Sequence, residues 1–435
     1  MSGVRHLAPL AAVGLAFALG AAAQQSDWTG FGASPELPAP KHYLIPTLNI
    51  APASPWAPGE APTAAPGLAV SRFAEGLDHP RWLYVLPNGD VLVAETNGPG
   101  LEKPKGIRGA FMKSAMKTAG AAAPSANRIT LLRDADRDGV AETRTVFTQN
   151  LYSPFGMALA GGQIYIANTD GLVHAAYRRG DTALASPLVR LTELPGPPID
   201  HHWTKNVIAS PDGTKLYVTV GSNSNVGENG MAVEAGRAAI WEVNRITGVK
   251  RLFATGLRNP NGMAWEPVTR RLWTVVNERD ELGDDLVPDY LTSVRDGGFY
   301  GWPYSYYGAH VDARVKPGRP DLIQTALVPD YALGAHTASL GLTFYEGRLM
   351  PAYRGGAFIG QHGSWNRSHL NGYWVIFVPF AGGMPSRGPQ LVLSDFVDKA
   401  GHARGRPVGV SVDSTGALLV ADDVGGIIWR VTPAR

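Results

Sequence analysis

Two adjacent histidines, His201 and His202, enter an extended segment within GPPIDHHWTKN. Imidazole changes protonation near neutral pH, so this pair is suited to moving a proton. Adjacent strand residues face opposite ways, so only one of the two aims into a given site. Arg258 and Asn259 follow in GLRNPNG, held ahead of a strand by Pro260. A guanidinium there is a permanent charge and a two-pronged donor for an oxyanion or carboxylate. The segment NERDELGDDLVPD then brings Asp280, Glu281, Asp284, Asp285 and Asp289, the densest acidic run in the chain. Oxygen donors at that density suit a hard cation such as calcium. Further on, HGSWNRSHL supplies His362, Trp365, Asn366 and Arg367, and GHARGRPVG sets Arg404 and Arg406 two apart. That spacing puts both arginines on one face of an extended segment. Arginines converging without matching acids point to an anionic ligand with several carboxylates or phosphates. Trp365 is suited to stack on a planar ring.

These groups lie opposite the tight turns of a repeated phrase: apolar strand, turn, apolar strand. Its copies are PRWLYVLPNGDVLVAET, PFGMALAGGQIYIANT, KNVIASPDGTKLYVTVG, PNGMAWEPVTRRLWTVVN, LGLTFYEG with GAFIGQHGSW, and PVGVSVDSTGALLVADD. A hairpin cannot bury both faces alone, so the copies must stack. The expected architecture is all-β, a six-bladed β-propeller, whose loops gather at one end of the axis. Its span of residues 68–435 gives roughly 60 residues per blade, leaving room for insertions.

Residues 1–23 read as an export signal: Arg5 and His6, an apolar run, then Ala21-Ala22-Ala23. This leader predicts a periplasmic protein. Residues 24–67, rich in proline and alanine, read as an extended strap, with Ile45, Leu48, Ile50 and Trp56 as docking residues. The absence of cysteine excludes disulfides, thiolate zinc sites and c-type haem attachment. A net charge of +2 gives no reason to expect a nucleic-acid partner. Lys103–Ala119 has the spacing of a basic amphipathic helix, either a solvated rim or a peripheral contact with anionic lipid or an electron acceptor. DADRDGVAE resembles a calcium loop, but Thr145 stands where the bidentate glutamate belongs, so a tight turn is the expected reading.

The set DHHWTKN, GLRNPNGMAW, RDELGDD, GFYGWPY, HGSWNR and RGRPVG resembles the sorbosone dehydrogenase family, relatives of the soluble pyrroloquinoline-quinone (PQQ)-dependent glucose and aldose dehydrogenases. The resemblance runs from about Pro46 onward. It implies a six-bladed propeller with PQQ on its axis, stacked over calcium. It implies that His202 is the base, with His201 the alternative. Arg258 would polarise the reacting quinone carbonyl, with Asn259 beside it on the cofactor. Arg404 and Arg406 would hold cofactor carboxylates, with Arg367 in place of a family lysine. Arg279 and Asp280 would offer carbonyls to the calcium, near Asp284 and Asp285. The function implied is oxidation of an aldose or sugar aldehyde such as sorbosone, with electrons leaving to an external cytochrome or quinone. The rival is a calcium-dependent sugar lactonase on the same fold, using the acidic cluster, a histidine and water. A non-catalytic propeller is the third reading.

Overall fold

The computed structural model describes residues 28–43, 47–99, 116–199 and 201–434. The leader and Ile45 lie outside them, as does the expected helix Lys103–Ala119 except for its end, where residues 116–118 form a helical turn. Six sheets follow one another around an axis, antiparallel but for Gly298–Phe299, which pairs parallel with Lys250–Thr255 in the third. Their innermost strands are Pro80–Val85, Met157–Ala160, Val207–Ala209, Asn259–Trp265, Ser339–Phe344 and Pro407–Val412. Each is the first strand of one sequence repeat, so the repeated phrase is the inner hairpin of each blade. In the second blade the hairpin turns through Gly161 and Gly162 alone, with φ of 56° and 73°. Two consecutive positive φ values make this a tight turn that glycine adopts without strain.

Neighbouring inner strands approach so closely that side chains are excluded at the contact. A Cβ on Gly156 would sit 2.3 Å from Val207 N, and one on Gly341 2.2 Å from Val408 O. Gly262 against Leu340 O (2.6 Å) and Gly409 against Arg81 O (2.8 Å) repeat the arrangement. The glycines of PFG, PNG, LGL and PVG are therefore spacers between blades.

The second strand of each blade divides its side chains between two neighbours, as a period of two requires. In the first blade Leu92 and Ala94 join the cluster shared with Ile164 and Ile166 of the second. Val91 and Val93 face Leu419 and Ala421 of the sixth. In the second blade Tyr165 and Ala167 turn instead to Leu216 and Val218 of the third. Six such clusters, one per interface, make up the core. Each fully buried aliphatic side chain in them contributes about 1.5–3 kcal/mol. The ring closes in the sixth blade, where Leu68–Ala74 pairs antiparallel with Ile427–Pro433.

The segment before Leu68 crosses blades four to six at the end where the functional groups gather. Phe31–Gly32 adds a strand to the fourth blade, and Thr63–Ala64 one to the fifth. Between them Asn49 N donates to Trp365 O (3.0 Å), and Ser54 N to Ala403 O (2.8 Å). The Trp56 indole N–H donates to Asp422 Oδ2 (2.8 Å), with its ring edge-on to Trp429 and Phe396. Asp422 is fully buried and burial pushes its carboxyl up to about 6. It also accepts from Trp429 Nε1 (3.0 Å), Arg406 N (2.8 Å) and Gly425 N (2.9 Å). One carboxylate thus joins strap, closing blade and the arginine loop. Among the described residues no helix is long and apolar enough to cross a membrane.

Asp422→Ala leaves four donors without an acceptor, two of them fully buried, and is expected to lower unfolding free energy by about 3 kcal/mol or more. Trp56→Phe removes one donor and costs about 1 kcal/mol. Urea unfolding midpoints of the two variants measure the difference.

Candidate active site

His202 is anchored through Nδ1, which lies 2.9 Å from Ser222 O and 3.0 Å from Ser222 Oγ. The Ser222 hydroxyl donates to Ser224 O (2.7 Å), so toward the histidine its oxygen is an acceptor. Two acceptors at Nδ1 place the proton there and leave the lone pair on Nε2. Burial, then the charges of Arg258 and His201, hold the His202 pKa well below 6.5. The ring is therefore neutral at physiological pH. His201 is exposed, with its ring edge-on to His202 at 4.7 Å between centroids. A Cβ on Gly221 would lie 2.4 Å from Asn259 Oδ1 and 2.5 Å from His202 Cβ. The missing side chain lets these two residues meet at one point. Asn259 is buried and its Oδ1 has no partner among the described residues.

Arg258 lies behind them, 3% exposed. Its Nε donates to Asn225 O (3.2 Å), Nη1 to Glu278 O (2.6 Å), and Nη2 to Asn225 Oδ1 (2.9 Å) and Asp280 Oδ2 (3.2 Å). The guanidinium is thereby fixed in place as a charge beside His202. The other oxygen of Asp280 faces His336 Nδ1 at 3.2 Å, and His336 Nε2 faces Gly283 O at 2.9 Å. With an acceptor at each nitrogen, His336 is an imidazolium. Burial opposes that charge, but the Asp280 carboxylate outweighs it and raises the pKa. Burial likewise works against the Asp280 charge, yet His336 and Arg258 hold its pKa below the usual value.

A second polar group lies on blades five, six and one. Asp423 Oδ2 accepts from Arg81 Nη1 (2.6 Å) and His362 Nε2 (2.9 Å), while its Oδ1 is buried without a partner among the described residues. Burial leads in lowering the His362 pKa, to about 4, so this ring too is neutral. Arg81 reaches the position through a break in strand register between Pro80 and Trp82. Bulges of this kind re-aim side chains next to sites. Arg406 is buried, 5.0 Å above the Tyr373 ring, with Nη2 on Ala51 O (3.3 Å). Its Nε has no partner among the described residues.

The remaining expected residues do not converge. Arg404 spends its guanidinium on Glu60 (3.0 Å) and Asp398 (3.4 Å), so it and Arg406 have different surroundings despite their spacing. Gly405 between them packs onto Asp422, 2.1 Å from Oδ2 for a built Cβ. Arg367 pairs with Asp285 (2.9 Å), and Asp284 accepts from Ser368 N (3.2 Å). The Arg279 side chain is fully buried between Glu278 (3.1 Å) and Asp312 (3.2 Å), away from any ligand role of its own. The Asp280 carbonyl accepts from Asn225 Nδ2 (3.2 Å) and Arg314 Nη1 (3.0 Å). Trp365 is 38% exposed and free to take a stacking partner. Among the described residues, the group of carboxylates that does come within 4.8 Å of one another is Asp134, Asp136, Asp138 and Glu142, on the outer hairpin of the first blade. Their oxygens also cap turn amides, Asp134 Oδ2 accepting from Gly139 N at 2.9 Å. Sequence reasoning did not single out Asn225, His336, Arg81 or Asp423. They come from separate parts of the chain and meet their partners only in the fold, so spacing carries no signal for them.

A family model described as glucose/sorbosone dehydrogenase matches residues 151–369. A TrAA12-like model matches residues 323–434. An uncharacterized protein of Borreliella burgdorferi is 27% identical over 312 residues, 67% of this chain and 79% of that protein. The aldose sugar dehydrogenase YliI of Escherichia coli is 27% identical over 110 residues, 25% of this chain and 28% of that protein. The solved PQQ domain of pyranose dehydrogenase from Coprinopsis cinerea aligns with a TM-score of 0.69 at 20% identity, over 88% of this chain and 100% of that one. The apo-form of the soluble aldose sugar dehydrogenase from Escherichia coli aligns at 0.58 and 15%, over 84% and 100%. At these identities the structures share the fold.

Nitrogen-detected NMR of ring-labelled histidine separates the two key rings. His202 is expected to be neutral at pH 6.5 with its proton on Nδ1, while His336 is still doubly protonated at that pH.

Proposed function

Because the chain belongs to the glucose/sorbosone dehydrogenase family, we propose that it is a PQQ-dependent dehydrogenase oxidising an aldose or sugar aldehyde such as sorbosone. The observation that carries this reading is His202, a half-buried neutral imidazole with its lone pair on Nε2, whose Cβ meets Asn259 Oδ1 at Gly221. The residues fit a planar polycarboxylate. Among the described residues Arg406 keeps an unpartnered buried Nε, a donor to a carboxylate, and Asn259 an unpartnered Oδ1, an acceptor for a ring N–H. Those two groups, with Arg81 on the inner strand of the first blade, would hold the cofactor. When bound, PQQ supplies a two-electron hydride acceptor.

His202 Nε2 removes the hydroxyl proton from a hydrated aldehyde or hemiacetal. The Ser222 carbonyl keeps the ring oriented and stabilises the charge it gains, as a base needs its second nitrogen anchored. Arg258, clasped by Asn225 and Asp280, keeps His202 unprotonated before the reaction and offers fixed positive charge beside the developing negative one.

Calcium finds a poorer match. The Asp280 carboxylate is already shared by Arg258 and the His336 imidazolium, and Asp284 and Asp285 are turned to Ser368 and Arg367. No step is therefore assigned to calcium, although carbonyls of the Arg279–Asp280 turn are its expected donors. The lactonase reading is weaker for the same reason, since it needs converging carboxylates at the axis. The leader points to a periplasmic enzyme that passes electrons to an external acceptor, there being no cysteine for haem attachment.

Dye-linked oxidation of sorbosone and a panel of aldoses, with PQQ and calcium added separately and together, tests the reading. Turnover is expected only where PQQ is present. With calcium alone, lactone hydrolysis in place of oxidation would reverse the assignment. His202→Ala is expected to lower kcat by about 10²–10⁴. Because the His202 pKa is lowered, kcat/KM should not begin its fall toward acid until below pH 6.5. Arg406→Ala should weaken PQQ binding about ten- to a hundredfold, a charge-assisted hydrogen bond being worth about 1.5–3 kcal/mol.

A further inference from the structure

The strand Lys215–Val220 ends just before the residues that hold the His202 ring, so Ser222, Asn223 and Ser224 lie beyond its ladder. All three are buried. Ser222 N still finds a backbone acceptor, Arg258 O at 2.8 Å, but Asn223 N turns to a side chain. That side chain is Glu234, 5% exposed at the end of the short helical turn Met231–Glu234. Its Oε2 accepts from Asn223 N (2.7 Å), and its Oε1 accepts from the Ser224 hydroxyl. The Ser224 hydroxyl oxygen accepts in turn from Gly227 N (2.9 Å). Asn223 Oδ1 accepts from His201 N (3.3 Å), and Asn223 O from Asn229 Nδ2 (3.0 Å). One buried carboxylate thus grips two successive residues of the segment that faces the base.

What this grip controls is the place of a proton. Ser222 Oγ is an acceptor toward His202 Nδ1 only while its own hydrogen is spent on Ser224 O (2.7 Å). Displacement of Ser224 releases that hydrogen to Nδ1, and the ring proton then belongs on Nε2. A ring protonated at Nε2 has no lone pair there with which to take a substrate proton. The carboxylate acts at one remove. In direct contact with the imidazole it would favour the charged ring and raise its pKa. Through the serine segment it fixes the ring's acceptors without pairing with the ring itself.

We propose that Glu234 is a positioning residue for the base, holding Ser222 and Ser224 so that His202 carries its proton on Nδ1 and its lone pair on Nε2. The proposal rests on the dehydrogenase reading for the use made of that lone pair, whereas the tautomer it requires does not.

Ring-nitrogen NMR of the histidine-labelled full chain at neutral pH compares wild type, Glu234→Gln and Ser224→Ala, with the His202 signal identified by its loss in His202→Ala. In Glu234→Gln the amide oxygen serves Asn223 N, and the amide N–H groups then face a Ser224 hydroxyl that has lost its acceptor. The ratio of Nδ1–H to Nε2–H tautomer at His202 is expected to fall about tenfold, as loss of one charged hydrogen bond implies. Ser224→Ala keeps the carboxylate but removes one of its two donors, and is expected to shift the ratio in the same direction. Thermal melts confirm that each variant is folded, and Ser224→Ala carries the test alone if Glu234→Gln is not. With PQQ and sugar added, kcat should fall in step with the tautomer ratio while KM is unchanged. A shifted tautomer upholds the positioning role even where no protein oxidises sugar, an outcome that would count against the dehydrogenase reading alone. An unchanged His202 tautomer in the folded variants overturns it, even where kcat falls, and leaves Glu234 a purely structural residue.

Discussion

Crowding at the axis is the constraint from which the rest of the structure follows. Six inner strands meet so closely that Gly156, Gly262, Gly341 and Gly409 each face the backbone of the next blade where a methyl group would not fit. Strands held this near one another deliver their ends to a common rim. His202, Asn259, Ser339 and Arg406 come from sequence positions far apart, yet each leads into or flanks an inner strand. The rim is therefore rigid because the core beneath it is divided into six interlocked apolar clusters, none of which can shift alone.

On that rim charge is arranged in layers. Fixed charges, Arg258 with Asp280 and His336 on one side and Arg81 with Asp423 on the other, sit behind neutral imidazoles. A buried ion pair contributes little net stability, but removing one partner typically costs about 3–5 kcal/mol. Their value is positional. A histidine beside an immobilised arginine stays unprotonated, and an unprotonated histidine is able to accept a proton.

The inner hairpins are legible in the sequence because crowding, turn geometry and alternation all leave marks at fixed spacing: the P-x-G phrase, the tight turns, the period of two. The strap's two short strands leave none, since Phe31–Gly32 and Thr63–Ala64 are strands only by virtue of the edges they meet. At the site, His202 and Arg258 stand out by residue type near a repeat boundary. His336 and Asp423 do not, because the partners of His336 are distant in sequence within its own blade and those of Asp423 lie in other blades. Arg404 and Arg406 show the limit of spacing: the chain turns at Gly405, where Asp422 fills the space a side chain would need, and the two guanidinium groups reach different neighbours. The acidic run reads as a metal centre from composition, whereas Asp280 is shared by Arg258 and His336, Asp284 is turned to Ser368, Asp285 to Arg367, and Asp289 accepts from Glu278 N and Ser339 N.

The outer strands of a propeller face solvent with unpaired amides and carbonyls, and such borders recruit strands from other molecules. In the fourth and fifth blades this chain covers its own borders, with Phe31–Gly32 on Tyr331–Ala335 and Thr63–Ala64 on Gln390–Ser394. Loss of the segment before Leu68 would leave the ring closed, but would take Trp28, Phe31, Ala51 and Trp56 out of two apolar clusters and bare two adjacent sheet edges to other copies of the protein. The strap thus also acts as a guard on solubility.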